Sequence, residues 1–319
     1  SVEDAAIFDT TIAVVTAPQL PGLSESHASV LAGTRKLIGY WFWELADVPA
    51  EHRYGIDLVD EIWAPTRFVR DAYRAATDKP VRLAPLPIPE PVTEPTDERV
   101  TRFDTDRFTF LTSFDHLSVM ERKHPIGVIE AFRRGFPNGD EPVALVVKSI
   151  NGEHRPDAVE RLAAAASADP RVTVLDEHLP HSSHMALIAD AGALVSLHRS
   201  EGLGLHIADA MWLGTPVICT RYSGSLDITD DEFTALVDAT LVPVTNGDGA
   251  YPEQSTWAEP DLDQAATWMR KLVDDPELCD RMGTSARQFM LQQPSEAQAG
   301  RRLADLLGRR RARTLSPDR

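Results

Sequence analysis

Two acidic residues flank a glycine turn in the segment SEGLGLHIAD, where Glu201 precedes Gly202 and Gly204, and Asp209 follows eight positions after Glu201. The glycines allow backbone N–H groups to approach a ligand without interference from Cβ atoms. A helix is predicted to begin directly after them, so its free N–H groups and the positive end of its dipole face the same point. This combination predicts an anion site, although a tight turn between a strand and a helix can carry the same glycines.

The two carboxylates suit a different part of the same ligand. A carboxylate does not bind phosphate, but it accepts hydrogen bonds from the adjacent hydroxyl groups of a sugar or a ribose. Glu201 at a strand end and Asp209 within the helix would flank a pyrophosphate bound at the helix start. The pattern therefore predicts a nucleotide-sugar, with its diphosphate on the glycine loop and one acid each for the donated sugar and the ribose.

A diphosphate also requires cations, and the segment SVMERKHP supplies Arg122 and Lys123 between a predicted strand and a predicted helix. Arg199, two positions before Glu201, is a further candidate. Any one of these could be an ordinary exposed loop charge. The adjacent pair at a strand–helix junction favours a role in binding the diphosphate.

Strands alternate with helices along the chain, which predicts an α/β fold with parallel sheets. Ligands of such sheets bind outside the carboxyl ends of the strands, which is where the acidic loop and the basic pair are expected. A buried strand is predicted over residues 10–18, and a helix is predicted to begin near Thr66. Further along the chain, strands are predicted over 108–114, 143–150, 172–176, 192–198 and 216–220, and helices over 124–136, 157–168 and 182–191.

The proline-dense segment KPVRLAPLPIPEPVTEPT is typical of a semi-extended linker, and it predicts a domain boundary near residues 88–104. We expect a first Rossmann-like domain over 1–100, a nucleotide-sugar domain over 101–292, and a C-terminal helix with a basic tail over 293–319. The arginine-rich tail predicts either weak contact with a membrane surface or a solvated helix end.

Composition limits the classes of function. The chain has 32 Lys and Arg residues against 49 Asp and Glu residues, a net charge of −17, which argues against general nucleic-acid binding. It has two cysteines and opens with an acidic segment that lacks a signal-peptide layout. We therefore expect a cytoplasmic protein, or one peripheral to the inner face of a membrane.

The same motifs resemble those of retaining glycosyltransferases of the B-type fold with two Rossmann domains, similar to glycosyltransferase family 4 of bacterial polysaccharide and glycolipid synthesis. The resemblance spans most of residues 35–290. It is carried by the Glu201…Asp209 motif, by FLTSFDHLSVMERKHPIGVIEAFRRGFP, by YSGSLDIT, and by YWFWELADVPAEHRYGIDLVDEIWAPTRFVRDAY. Proteins of this fold normally open with a further strand, glycine turn and helix, so the resemblance implies either an incomplete N-terminal, acceptor-side domain, which we favour, or an unusually small one.

By this resemblance, Glu201 contacts the donor sugar and Asp209 binds the ribose. The resemblance implies a donor-binding set of Arg122, Lys123, Gly202, Leu203, Gly204, Leu205 and Asp209, and we add Arg199 and Ser200 to the predicted set. Asp209 is one methylene shorter than the Glu usual at that position, and His206 stands where a proline or small residue is common. The implied reaction transfers a hexosyl group to a carbohydrate or lipid-linked acceptor with retention of anomeric configuration, and it needs no cofactor beyond the nucleotide-sugar co-substrate.

Other residues leave alternatives open. Glu44, at a predicted strand end, could orient the acceptor hydroxyl or act as a base, or it is a partly exposed loop carboxylate. Asp104 and Asp106 have the spacing of a metal motif but precede the first strand of the second domain, so we predict a turn there and no metal site. The loop 175–183 is a candidate for binding the nucleotide base. A non-catalytic nucleotide-sugar or carbohydrate-binding module, a nucleotide-sugar epimerase and a sugar phosphorylase remain as rival functions.

Overall fold

The computed structural model describes residues 9–26, 35–93, 103 and 106–308. Asp104 and the arginine-rich end of the tail from residue 309 onward lie outside the described residues. Within them the chain forms two α/β domains, each built on a parallel sheet, as the alternation of strands and helices predicts. The prediction of two Rossmann-like domains is confirmed.

The first domain contains a parallel sheet with strand order β1-β2-β3-β4 among the described residues. Its elements are β1 Thr10–Ala13, α1 Leu20–Ser26, β2 Lys36–Tyr40, α2 Arg53–Leu58, β3 Glu61–Ala64, α3 Arg67–Ala76 and β4 Val81–Leu83. Thr66 is the N-cap of α3, and its hydroxyl accepts a hydrogen bond from the Val69 N–H at 3.3 Å. The helix predicted to begin near Thr66 is therefore confirmed, and its start is fixed by side-chain capping.

The prediction of one buried strand over residues 10–18 is wrong. The strand β1 ends at Ala13, and a 3-10 turn follows over Ala17–Gln19. The Thr16 N–H donates to the Gln19 side chain at 3.2 Å, which starts this helical turn. Val14 is 65% exposed, because β1 is an edge strand among the described residues and its neighbours do not cover it.

The second domain carries a six-stranded parallel sheet in the order β10-β9-β8-β5-β6-β7. The chain order reverses between β5 and β8, so this edge has the topological switch point at which open α/β sheets bind ligands. The strands are β5 Phe108–Asp115, β6 Val143–Ile150, β7 Val172–Asp176, β8 Ala193–Ser196, β9 Val217–Thr220 and β10 Ala235–Val237. The helices between and after them are α4 Met120–Lys123, α5 Pro125–Gly135, α6 Pro156–Ser167, α7 His181–Ala189, α8 Leu205–Leu213, α9 Leu262–Asp274 and α10 Pro276–Leu291.

Two further elements join the domains. An antiparallel pair, β11 Ala239–Pro243 and β12 Thr256–Pro260, frames a loop whose Tyr251 packs into the hydrophobic cluster of the first domain. The final helix, α11 Glu296–Leu306, packs back on the first sheet through Leu303 and Leu306, against Tyr40 and Trp63. The chain therefore passes between the domains twice, before β5 and after α10.

Candidate active site

The predicted acidic loop lies at the switch point of the second sheet. Residues 197–204 connect β8 to α8, while the end of β5 leads through a short turn to α4, which carries the basic pair. Strands β5 and β8 are neighbours in the sheet, with Leu111 in register with Leu194. The topology therefore brings together two motifs that are about 80 residues apart in sequence.

The glycine loop leaves the start of α8 open. Gly204, the N-cap residue, has φ +89°, a left-handed conformation that strains any residue with a Cβ atom. It has no side chain to cap the helix, and the first N–H groups of a helix lack intrahelical acceptors. Gly202 lies against the first domain, where an added Cβ would be 3.1 Å from the Trp43 carbonyl oxygen.

The central side chains of the site form a buried cluster of two cations and one carboxylate. The Lys123 ammonium donates to Glu201 Oε1, and the Arg122 guanidinium lies 3.2 Å from the same oxygen. Burial opposes ionisation of Glu201, but Lys123 and then Arg122 outweigh it, and they hold the pKa of this carboxyl well below its usual range. Burial lowers the pKa of the Lys123 ammonium, and Glu201 opposes that shift. Two basic side chains therefore face one ionised carboxylate at the start of α8.

Backbone hydrogen bonds fix the loop around this cluster. The Arg122 guanidinium donates to the Ser200 carbonyl at 2.8 Å, and the Arg199 N–H donates to the Arg122 carbonyl at 2.7 Å. On the other side, the Glu201 N–H donates to Ser223 Oγ at 2.8 Å. The buried Ser200 hydroxyl donates across the cleft to the Glu44 carbonyl. These bonds hold the main chain that presents Glu201.

Arg199 faces a different partner. Its guanidinium donates to both carboxylate oxygens of Glu259 at 2.6 and 3.1 Å and to the Glu121 carbonyl at 2.8 Å. It also lies over the Trp257 ring, 5.4 Å from the ring centroid. The structure thus joins Arg199 to strand β12, outside the Lys123–Glu201 cluster.

The remaining loop residues differ in exposure. Leu203 is buried, whereas Leu205, at the first position of α8, is 54% exposed. Asp209 lies one turn further along α8, and burial raises the pKa of its carboxyl to about 6, with His181 opposing the shift. This carboxylate therefore changes charge close to neutral pH.

A buried histidine network supports the acidic loop from below, and sequence reasoning missed it. Ser196 Oγ lies 3.0 Å from His198 Nδ1 and 2.9 Å from His206 Nε2, and His198 Nε2 lies 3.2 Å from Ser225 Oγ. Burial lowers the pKa of His198 to about 4 and that of His206 to about 3, so both rings are neutral at pH 7. The alternation of Ser196 and His198 at the end of an apolar strand was the available sequence signal.

The acceptor-side candidate, Glu44, lies at the cleft between the domains. Its Oε2 accepts a hydrogen bond from the Tyr251 hydroxyl at 3.2 Å, and the Tyr251 ring lies 5.7 Å from the Arg122 guanidinium carbon. A cavity of about 470 Å³ is lined by Glu44, Trp43, Arg122 and Tyr251, among others. Tyr251 was also missed, because it is 207 residues away from Glu44 and lies in a loop without a motif.

The loop 175–183 is anchored beside β6. The buried Lys148 ammonium donates to the Ser149 carbonyl at 2.7 Å and to the Glu177 carbonyl. Ser113, near the end of β5, lies 3.1 Å from the ring of His184 on α7. The predicted loop 175–183 is shorter in the structure, because β7 extends to Asp176 and α7 begins at His181, and Lys148 anchors the first loop residue, Glu177.

The fold is a pair of α/β domains with parallel sheets, and the comparison with known families identifies the class of protein. The model of the family "Glycosyl transferases group 1" matches residues 117–289, more than half of the chain, and the chain belongs to this family. No curated protein matches the sequence significantly. Among the described residues, none of the helices combines the length and the apolar character needed to cross a membrane.

Solved structures of B-type glycosyltransferases share the fold. A mutant of TarM from S. aureus, in complex with Fondaparinux, alpha-GlcNAc-glycerol and UDP, is 13% identical with a TM-score of 0.67, covering 94% of this chain and 56% of TarM. HepE from Anabaena, in complex with UDP and glucose, is 15% identical with a TM-score of 0.64, covering 95% of this chain and 78% of HepE. The E. coli trehalose-6-phosphate protein bound with UDP-2-fluoro glucose is 10% identical with a TM-score of 0.68, covering 94% and 73%. The chain thus spans only about half the length of TarM.

Proposed function

We propose that this chain transfers a hexosyl group from a nucleoside-diphosphate sugar to an acceptor hydroxyl, with retention of anomeric configuration. The observation that carries the proposal is the Lys123–Glu201 pair at the open start of α8. It places a cation for a diphosphate next to a carboxylate for sugar hydroxyls. The UDP complexes of TarM and HepE support a nucleotide donor for this fold.

The donor fits the site in one orientation. The diphosphate lies on the glycine loop, where the N–H groups at the start of α8, Lys123 and Arg122 supply positive charge. Glu201 accepts hydrogen bonds from the sugar, and Asp209 accepts them from the ribose. The base then extends toward the loop 175–183. Arg199, paired with Glu259, acts on this site by holding the Glu121–Arg122 segment.

In the reaction, the bond between the anomeric carbon and the diphosphate oxygen breaks, and negative charge develops on the leaving phosphate. Fixed N–H donors and the two cations stabilise that charge without reorganisation, because the loop is already held. The acceptor hydroxyl attacks from the face that the diphosphate leaves, and its proton goes to a departing phosphate oxygen. Glu44, oriented by the Tyr251 hydroxyl, positions the acceptor in the cleft.

Several finer features belong to the same proposal. The acceptor is a carbohydrate or a lipid-linked carbohydrate, since the cavity beside Glu44 offers aromatic and carboxylate groups together. The reaction uses no metal ion, because Lys123, Arg122 and the helix start carry the positive charge. The protein acts in the cytoplasm or at the inner face of a membrane.

Calorimetric titration with UDP, GDP, ADP and dTDP tests the donor site. We expect micromolar binding of one nucleotide, about −8 kcal/mol, and at least tenfold weaker binding by Lys123→Gln. The matched control is Lys271→Gln, which changes an exposed lysine on α9 outside the site. Equal affinities for Lys123→Gln and the wild type, or no binding of any of the four nucleotides, would contradict the proposal.

A further inference from the structure

The structure shows the diphosphate-binding cation already occupied by an acidic side chain. Among the described residues, the Lys123 ammonium forms its only hydrogen bond or ion pair with Glu201. Arg122 differs, because its guanidinium also donates to the Ser200 and Ser118 carbonyls at 2.8 and 3.2 Å. Glu201 thus provides the counter-charge for Lys123 in this structure.

The need for this counter-charge follows from burial. The Lys123 side chain is 13% exposed and that of Glu201 is 9% exposed. A charge removed from water to this extent is costly unless it is paired. A diphosphate would satisfy Lys123 in the same way, so the carboxylate of Glu201 and a bound diphosphate compete for one ammonium.

We propose that Glu201 is an exchangeable internal counter-ion that discriminates the sugar-bearing donor from the bare nucleoside diphosphate; this rests on the function proposed above. When the donor binds, its diphosphate takes over Lys123, and Glu201 is compensated by hydrogen bonds from the sugar hydroxyls. When the sugar has been transferred, Glu201 loses those hydroxyls and returns to Lys123. The return weakens the hold on the nucleoside diphosphate and promotes its release.

The surrounding structure confines this exchange to side chains. The Glu201 N–H is held by Ser223 Oγ at 2.8 Å, and the Glu201 carbonyl accepts from the Gly224 N–H at 2.8 Å. The next carbonyl, that of Gly202, accepts from the Thr66 hydroxyl at 2.9 Å. With the main chain fixed on both sides, only the carboxylate and the flexible lysine need to move.

Titration of the Glu201→Gln variant with UDP, GDP, ADP and dTDP, and with the sugar forms UDP-glucose, GDP-mannose, ADP-glucose and dTDP-glucose, tests the proposal. We expect the bare nucleotide that binds to do so at least tenfold more tightly in Glu201→Gln than in the wild type. The sugar form should gain less, so the preference for the sugar form over the bare nucleotide falls. A role of Glu201 in sugar contact alone would leave the bare nucleotide unchanged.

Two controls separate exchange from general electrostatics. Glu141→Gln removes a carboxylate that is 11% exposed and pairs with Arg171 rather than Lys123, and we expect less than a threefold effect on bare nucleotide. In the Lys123→Gln background, adding Glu201→Gln should give no further tightening. Tightening that persists without Lys123, or that Glu141→Gln reproduces, would overturn the exchange.

A third variant keeps the proposal testable if Glu201→Gln fails to fold. Glu201→Asp keeps the charge but shortens its reach to Lys123, and it should tighten bare nucleotide by an intermediate factor. If the wild type binds a nucleotide but neither Glu201→Gln nor Glu201→Asp binds it more tightly, the exchange is overturned and the proposed donor site stands. Absence of binding by the wild type and all variants would instead remove the proposed function itself.

Discussion

The hydroxyl of Thr66 in the first domain donates a hydrogen bond to the carbonyl oxygen of Gly202 in the glycine loop of the second, at 2.9 Å. The same hydroxyl accepts from the Val69 N–H as the cap of α3. One side chain therefore fixes a helix start and a ligand-binding loop across the cleft. The consequence is that the position of the first domain is coupled to the geometry of the proposed donor site.

Replacing Thr66 tests this coupling. Thr66→Val keeps the shape of the side chain but loses both hydrogen bonds, so we expect a loss of about 1–2 kcal/mol in the free energy of unfolding. Thr66→Ser keeps the hydroxyl and should restore most of it. Urea denaturation of the three proteins measures the effect. Equal stability of the valine and serine variants would show that the hydroxyl contributes nothing.

Asp209 gives a prediction about pH. Its folded-state pKa of about 6 is above that of an unfolded Asp, so the folded protein binds this proton more tightly. The proton on Asp209 therefore contributes to the free energy of unfolding below about pH 4, and this contribution is lost as the pH rises through 6. Asp209→Asn removes this loss, so its stability relative to the wild type should be higher at pH 7.5 than at pH 4.5, by up to about 2 kcal/mol.

Denaturation curves at the two pH values measure that difference. Asp280→Asn, at an exposed position in α10, corrects for removal of one negative charge from a chain of net charge −17. A pH-independent difference between Asp209→Asn and the wild type would mean that Asp209 is not desolvated as the structure indicates.

The Tyr251–Glu44 hydrogen bond predicts that loss of the Tyr251 hydroxyl lowers the rate of sugar transfer but not the affinity for nucleotide. Tyr251→Phe keeps the ring against Arg122 but removes the hydroxyl that orients Glu44. We expect kcat for sugar transfer to fall about tenfold, the scale of a lost orienting contact, with nucleotide affinity unchanged. Tyr54→Phe, at a tyrosine that is 71% exposed, is the matched control. A parallel loss of nucleotide affinity would place Tyr251 in the donor site instead.

Gly224 supports the acidic loop through close backbone contact. An added Cβ would lie 2.1 Å from the Gly202 carbonyl oxygen, so Gly224→Ala must displace the loop. We expect at least tenfold weaker nucleotide binding, measured by calorimetry. Gly300→Ala, in α11 with no atom within 4 Å of the new Cβ, should instead stabilise the protein by about 0.5–1 kcal/mol. Unchanged binding by Gly224→Ala would show that the loop tolerates the shift.

The sequence predicts the parts of this molecule that depend on local pattern. The strands predicted over 192–198 and 216–220 contain β8 and β9, whose residues are all buried, because continuous apolar runs identify strands covered on both faces. Glu201 and Lys123 are also found together, since both follow strands that meet at the switch point. Their placement at the same sheet edge follows from topology alone.

The sequence pattern does not show which side chains pair with each other in the tertiary structure. Arg199 is as close to the acidic motif as any cation, yet its guanidinium is used by Glu259, a partner 60 residues away. Tyr251 and Thr66 reach the site from loops and caps of other elements. The edge strand β1 was predicted too long, because apolar residues at an uncovered edge resemble those of a buried strand.

The double passage of the chain between the domains, before β5 and after α10, has a mechanical consequence. Two domains joined by two separate chain segments rotate most easily about the line through both segments, because sliding or twisting would strain the segments. On the function proposed above, release of the nucleotide is expected to use a swing about this axis. Such a swing would separate and restore the Thr66–Gly202 and Tyr251–Glu44 contacts across the cleft. The covalent path of the chain would thus return the two halves of the proposed site to the same relative position.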